Sequence, residues 1–138
     1  MEKDFDYSVY SDFEAAPRTG RAAVHRVFNI AFALLATVAF AFSAIFGVIM
    51  IDAFIKSENF NGEGINGDAI GFALAFVLML VADAFVLPLS TAGAVLSFTT
   101  VKFRSGKDRI TGKITLALNL AYIILSLALF AAGVMLGN

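Results

Sequence analysis

The sequence contains no cysteine and only one histidine, His25. The absence of cysteine excludes disulfide bonds, thiolate metal ligands and thiol nucleophiles. One histidine without cysteine cannot form a histidine-rich zinc site or supply both axial ligands of a haem. The acidic residues are scattered and no serine is flanked by an evident base, so hydrolytic chemistry has no candidate residues. The sequence therefore predicts a protein that is not an enzyme and that holds no cofactor or metal.

Long apolar runs are the main feature that the sequence does contain. The chain of 138 residues is 59% hydrophobic, its mean hydropathy is +0.84, and its apolar stretches are far longer than a soluble helix needs. This pattern predicts an all-α integral membrane protein with three transmembrane helices, at about 27–55, 69–102 and 112–136. The spans form one transmembrane domain, 27–136, and a polar tail, 1–26, precedes it.

The second apolar segment, 69–102, is long enough for one helix or for two short spans that meet at Pro88. Basic residues decide between them, because cytoplasmic loops carry an excess of lysine and arginine. One helix places both basic segments of the chain on the cytoplasmic side. These are the end of the tail and the turn that contains Lys102, Arg104, Lys107, Arg109 and Lys113. We therefore predict a cytoplasmic N-terminus, a C-terminus outside, and an antiparallel hairpin formed by spans two and three.

The polar tail has two local signals. Tyr7, Tyr10 and Phe13 interleave with acidic residues, a pattern that suits docking onto a partner protein. A disordered tail is the alternative interpretation. Pro17 marks a break, so the sequence predicts a helix that begins near Thr19 and continues into span one.

Two further signals flank the connector 57–67, which is short, glycine-rich and weakly acidic. Asp52 and Lys56 are four residues apart at the end of span one, a spacing that permits an ion pair at the membrane surface. Asp68 is the expected N-cap of the helix that follows.

Polar and small residues recur at steps of three and four along spans two and three, which places them on one face of each helix. They include Asp83, Ser90, Gly93, Ser97 and Thr100 on span two, and Thr115, Asn119, Tyr122, Ser126 and Gly133 on span three. A hairpin that turns at 105–108 pairs Ser90 with Ser126, Gly93 with Tyr122, Ser97 with Asn119, Thr100 with Thr115, and Asp83 with Gly133. We infer close packing through small residues and hydroxyl or amide hydrogen bonds. Chance periodicity is the alternative.

Small residues also mark span one. Ala39, Ser43 and Gly47 recur at every fourth position, so their side chains share a helix face that another backbone can approach closely. Because the hairpin leaves this face free, we expect it to contact a partner. The alternative is an alanine-rich span without such a role.

Asp83 is the only carboxylate that the sequence places well inside the bilayer. A charged carboxylate at this depth costs at least about 2.5 kcal/mol to insert, so such groups are normally paired, protonated or hydrated. No lysine, arginine or histidine lies deep in any span. Asp83 is therefore expected to bond to serine, tyrosine or backbone, or to a partner chain. A proton or cation site, a contact that holds subunits together, and an incidental neutral acid all remain open.

Two functional hypotheses follow. The first is a small non-catalytic accessory or assembly subunit of a larger membrane complex. The alternative is a homo-oligomeric channel or a proton- or cation-coupled transporter that uses Asp83. The expected partners are membrane lipid and either a larger membrane protein or further copies of the chain, and no nucleic acid is expected. The expected location is a bacterial inner membrane.

Overall fold

The computed structural model describes the backbone of residues 7–138 and the side chains of residues 23–138. It contains three helices: α1, Tyr7–Glu58; α2, Gly67–Phe103; and α3, Gly106–Gly137. The part Ala23–Glu58 of α1 and the whole of α2 and α3 are long and apolar enough to cross a membrane. The expected all-helical class with three helices of membrane-spanning length is confirmed. The second apolar segment is one helix that contains Pro88.

Two helix starts differ from the sequence-based expectation. The chain is already helical at Tyr7, the first described residue, rather than from near Thr19, because α1 continues through Pro17. A proline can kink a helix without ending it. α2 is capped by Asn66, whose side-chain oxygen accepts hydrogen bonds from the backbone N–H groups of Asp68 and Ala69 at 3.0 and 3.2 Å. Asp68 was the wrong choice for the cap; it lies in the first helical turn.

The chain reverses between α2 and α3 over only two residues, Arg104 and Ser105, which both have extended backbone conformations. Gly106 follows with a φ angle of 62°. A residue with a Cβ atom rarely adopts this left-handed conformation, so glycine suits the tight reversal. The sequence-based expectation placed the turn at 105–108, which is too late in the chain.

The three helices contact one another, and the character of their interior changes along its length. An apolar cluster of Met50, Ala75 and Met79 lies toward the connector that joins α1 to α2. Elsewhere the interior contains many polar side chains, together with small or apolar ones such as Ala36 and Val86. The outward faces carry exposed large apolar residues, including Val38, Phe85 and Ile124. This arrangement suits a lipid environment, in which the exterior is apolar and polar groups find partners inside.

The ion pair predicted at the end of span one is present. The Nζ atom of Lys56 lies 2.6 Å from Oδ2 of Asp52. Both side chains are more than half exposed, so the pair contributes little to stability.

Candidate functional site

Polar side chains from all three helices line the interior of the described part of the chain. The buried polar residues are Asn29, Ser43, Asp83, Ser90, Ser97, Thr100, Thr115, Asn119 and Ser126. We call this set the polar column. The residues from α2 and α3 belong to the faces that the three-and-four spacing identified. The two residues from α1 bring a third helix into the same column.

Asn29 connects α1 to the basic end of the column. Its Nδ2 atom donates to Oγ1 of Thr100 at 2.9 Å, and its Oδ1 atom accepts from Oγ of Ser97 at 3.4 Å. Ser97 also forms a 2.7 Å hydrogen bond with Thr115 of α3. All four side chains are at most 5% exposed, so this network joins the three helices away from lipid.

Asn29 was not predicted as a site residue, although its sequence position contains a signal. Asn29, Ala36, Ser43 and Met50 are seven residues apart, and each is 0% exposed. A seven-residue step returns to nearly the same face of a helix. Span one therefore has a buried face of its own, like those of the other two spans.

The column is bordered at the basic end by an ion pair between α1 and α3. The Nε and Nη2 atoms of Arg26 both lie 2.6 Å from Oδ1 of Asp108. The Asp108 side chain is 15% exposed, whereas that of Arg26 is 44% exposed. The pair fixes the start of α3 beside α1, one turn from Asn29.

Asp83 lies in the column about midway along α2 and is 5% exposed. Its Oδ1 atom accepts a 2.6 Å hydrogen bond from Oγ of Ser43 on α1. Serine was one of the expected partners. The expected proximity to Gly133 is wrong: a Cβ atom at Gly133 would meet the Phe76 ring and the sulfur of Met50.

Four buried polar atoms of the column have no hydrogen-bond partner within the described part of the chain. They are Oδ2 of Asp83, Oγ of Ser90, Oδ1 of Asn119 and Oγ of Ser126. The hydrogen bond expected between Ser90 and Ser126 is therefore absent from the structure. Buried polar atoms in proteins normally have a partner, which is a protein group, a water molecule or an ion. These four atoms are therefore candidates for contacts with a bound water molecule, an ion or another chain.

Asp83 and Ser126 line the same groove between α2 and α3. It has a volume of about 300 Å³, and its other walls are Leu80, Ala84, Leu87, Leu127 and Phe130. The two unpartnered oxygens of Asp83 and Ser126 thus belong to side chains that border one otherwise apolar space.

The contacts between α2 and α3 are displaced by about one helical turn from the expected pairs. Ser97 bonds to Thr115 rather than Asn119. Gly93 faces Asn119 rather than Tyr122, and Thr100 faces Gly112 rather than Thr115. The physical reason is the earlier reversal at Arg104 and Ser105, which brings residues nearer the start of α3 opposite each position of α2.

Tyr122 contacts α1 instead of Gly93. Its hydroxyl group forms a 2.7 Å hydrogen bond with Oγ1 of Thr37. Its ring stacks on Phe40 with a centroid distance of 4.9 Å. Tyr122 therefore joins α3 to α1 beside the polar column.

The small-residue face of span one is used within the chain. Ser43 is 0% exposed and bonds to Asp83. A Cβ atom at Gly47 would lie 3.0 Å from the side chain of Leu129. Ala39 is half-buried and lines an apolar groove between α1 and α2. The expectation that this face is free for a partner is wrong for Ser43 and Gly47, because α1 packs against both other helices there. For Ala39 it stays a prediction.

The remaining predicted interface residues, Tyr7, Tyr10 and Phe13, have side chains outside the described residues. Within the described part, no group of three or more histidine, cysteine, aspartate or glutamate residues is arranged to hold a metal ion.

The fold and the site together define an all-helical protein with three helices of membrane-spanning length and a buried polar interior. No protein-family model, curated protein or solved structure matches the chain.

The hydrogen bond between Asn29 and Thr100 can be tested by a double-mutant cycle. Asn29→Leu and Thr100→Val each remove one partner, and we expect a coupling free energy of about 0.6 kcal/mol, the average for such bonds in membranes. The measurement is reversible unfolding in mixed detergent micelles, followed by circular dichroism. Thr111→Val is the matched control, because the Thr111 hydroxyl bonds only to the backbone of its own helix, at Lys107. Equal coupling of Asn29 to Thr100 and to Thr111 would contradict the network.

Proposed function

We propose that this chain is a small non-catalytic integral membrane protein that serves as an accessory or assembly subunit of a larger membrane complex. The outward face of α2 around Pro88 is the observation that carries the proposal. This face has a shallow, wide-open groove of about 770 Å³ that is lined by Leu87, Pro88, Thr91, Ala92, Val95, Leu96 and Thr99. Helices associate in membranes through small residues and hydroxyl groups, which permit close approach and hydrogen bonds. We call this groove on the outward face of α2 the Pro88 groove.

The orientation that we propose has the N-terminus in the cytoplasm, the C-terminus outside, and α2 and α3 as an antiparallel hairpin. Lysine and arginine are concentrated at the α2–α3 turn, and Arg26 is tied to that end of the molecule by Asp108. The opposite connector carries Glu58 and Glu63 and no basic residue between them. This asymmetry supports a cytoplasmic basic end. A bacterial inner membrane remains the proposed location.

The partner that we propose is a transmembrane helix of a larger protein, seated in the Pro88 groove. Thr91 and Ala92 are exposed on this face. The Thr99 hydroxyl already donates to the carbonyl group of Leu96 at 2.7 Å, so its hydrogen needs no further acceptor. Thr91 offers a hydroxyl group and Ala92 leaves room for a neighbouring backbone.

Filling the Pro88 groove should release the partner. In Ala92→Phe, the added ring occupies the space that the partner helix needs, so we expect a loss of at least about 90% of the co-purified partner, which corresponds to roughly 1.4 kcal/mol. The measurement is purification of the tagged protein from its own membranes in mild detergent, followed by native mass determination.

The matched control is Ala121→Phe, the same substitution at an exposed position of α3. It should leave the partner bound at wild-type stoichiometry. A wild-type preparation that contains only copies of this chain would contradict the accessory role, and so would a partner that Ala92→Phe retains in full.

The second candidate function is a homo-oligomeric channel or a proton- or cation-coupled transporter that uses Asp83. The unpartnered Oδ2 atom of this buried carboxylate favours it. A preparation that contains only copies of this chain would support this candidate over the first.

A further inference from the structure

Two residues that each carry an unpartnered oxygen line one groove inside the membrane-spanning part of the chain. Asp83 is 5% exposed and Ser126 is 1% exposed, and Oδ2 of the first and Oγ of the second have no hydrogen-bond partner among the described residues. Both residues line the groove of about 300 Å³ between α2 and α3. Polar atoms that are buried in this way normally contact a protein group, a water molecule or an ion.

Pro88 frees a third oxygen, which belongs to a residue that lines this groove. A proline has no backbone N–H group, so it cannot donate to the carbonyl group four residues earlier. In α2 that carbonyl belongs to Ala84, which also lines the groove. The helix thus leaves a carbonyl oxygen without its usual donor one residue after Asp83.

Ser43 holds the carboxylate in a defined position. Its Oγ atom donates a 2.6 Å hydrogen bond to Oδ1 of Asp83. Because Oδ1 is occupied, Oδ2 is the oxygen that remains for a ligand. Ser43 is therefore a positioning residue for the groove.

The donor set has a definite chemical preference. Carboxylate, hydroxyl and carbonyl oxygens are ligands for hard cations, and discontinuous membrane helices use freed carbonyl oxygens to coordinate Na⁺. The groove contains one carboxylate, and the described part of the chain has no cluster of acidic residues suited to a divalent metal. No lysine, arginine or histidine lies between residues 57 and 101, so α2 supplies no counter-charge near Asp83.

We propose that Asp83, Ser126 and the Ala84 carbonyl group form a binding site for one small monovalent cation, and Na⁺ is the cation that we expect. The cation neutralises the carboxylate within the hydrocarbon and satisfies all three oxygens at once. The site specifies the ion for the second candidate function, and its physiological role rests on that function. Binding itself is a property of the purified chain and is measured without transport.

The test is the thermal unfolding of the purified full-length protein in detergent, with NaCl replacing choline chloride at constant ionic strength and pH. Bound Na⁺ stabilises the folded state, so the unfolding midpoint should rise by about 4 °C when the Na⁺ concentration is about four times its dissociation constant, and by more at higher concentrations. Li⁺ and K⁺ are titrated in the same way. A chain whose midpoint responds to none of the three cations contradicts the site.

Three variants connect the shift to the groove. Asp83→Asn should abolish it, and Ser126→Ala should weaken the apparent affinity by about tenfold while removing no charge. Asp52→Asn is the matched control, because it makes the same substitution at an exposed carboxylate. It should retain the full shift. An unaltered Na⁺ response in Asp83→Asn or in Ser126→Ala overturns the proposal.

If Asp83→Asn does not fold, ²³Na NMR of the wild-type protein and of Ser126→Ala gives an independent readout. The wild-type protein should broaden the ²³Na resonance, and excess Li⁺ should reverse the broadening. No broadening overturns the site. Flux through liposomes is a separate measurement: Na⁺ binding without flux supports the site and rejects only the transport function.

Discussion

Replacing Gly133 with leucine is expected to lower the free energy of unfolding by about 1–3 kcal/mol, the usual cost of overpacking a well-packed interior. A Cβ atom at this position would meet the ring of Phe76 and would lie 3.1 Å from the sulfur of Met50. The ring of Phe76 stacks against Phe72 and Phe130, with centroid distances of 6.4 and 6.3 Å. It therefore has aromatic neighbours on both sides and cannot move aside without disturbing them.

Gly137→Leu is the matched control at the next turn of α3. The nearest atoms to a Cβ atom there belong to Phe72, at 3.6 and 3.7 Å, which is ordinary van der Waals contact. Because Gly137 is also exposed, we expect a change within about 0.5 kcal/mol. The measurement is unfolding in mixed micelles, followed by circular dichroism. Equal effects of the two substitutions would contradict the close contact between Gly133 and Phe76.

The number of helices and the polar faces of α2 and α3 could be predicted because both depend on local patterns. Long apolar runs define helices that can span a membrane, and steps of three and four define one face of a helix. Ser90, Gly93 and Ser97 lie on the buried face of α2 for this reason.

The pairing of residues across α2 and α3 could not be predicted by the same means. Polar or small residues recur at almost every turn of both faces, so a displacement of one turn still places such residues opposite each other. The reversal at Arg104 and Ser105 selects among these registers. Gly106 marks the place of the turn, because it adopts a left-handed conformation that residues with a Cβ atom rarely adopt. The glycine alone does not determine how many residues on each side of it leave the helices.

The role of α1 was missed because its small residues were assigned to an outside partner. Small side chains permit close approach of any helix, including one from the same chain. Ser43 and Gly47 contact α2 and α3, and Asn29 completes the network at the basic end. The spacing of Asn29, Ser43 and Met50 shows that one face of α1 was available to both neighbours.

The two candidate functions use different parts of the molecule, because polar groups are buried inside it and apolar groups lie on its outer faces. The accessory role depends on the Pro88 groove, which faces outward. Cation binding depends on the groove of Asp83 and Ser126, which lies between α2 and α3. Pro88 lines the first groove, and it leaves the carbonyl group of Ala84, a residue that lines the second groove, without its usual backbone donor.

The measurement that tests the packing of the polar column most directly is disulfide crosslinking between α2 and α3. The chain has no native cysteine, so introduced pairs form the only possible bonds within a monomer. The Ser97 and Thr115 side-chain oxygens are 2.7 Å apart, which places a pair introduced there close enough to bridge. The Ser90 and Ser126 oxygens have no partner in the described structure, so these two hydroxyl groups are not hydrogen-bonded to each other.

We expect the double variant Ser97→Cys, Thr115→Cys to crosslink almost completely under mild oxidation in membranes. The double variant Ser90→Cys, Ser126→Cys should crosslink at least about tenfold more slowly. The one-turn displacement of the α2–α3 contacts offsets this pair along the helices, and disulfide formation requires Cα atoms within roughly 7 Å. Gel mobility before and after reduction measures both rates. Faster crosslinking of the Ser90 and Ser126 pair would contradict the register that brings Asp83, Ser43 and Ser126 together.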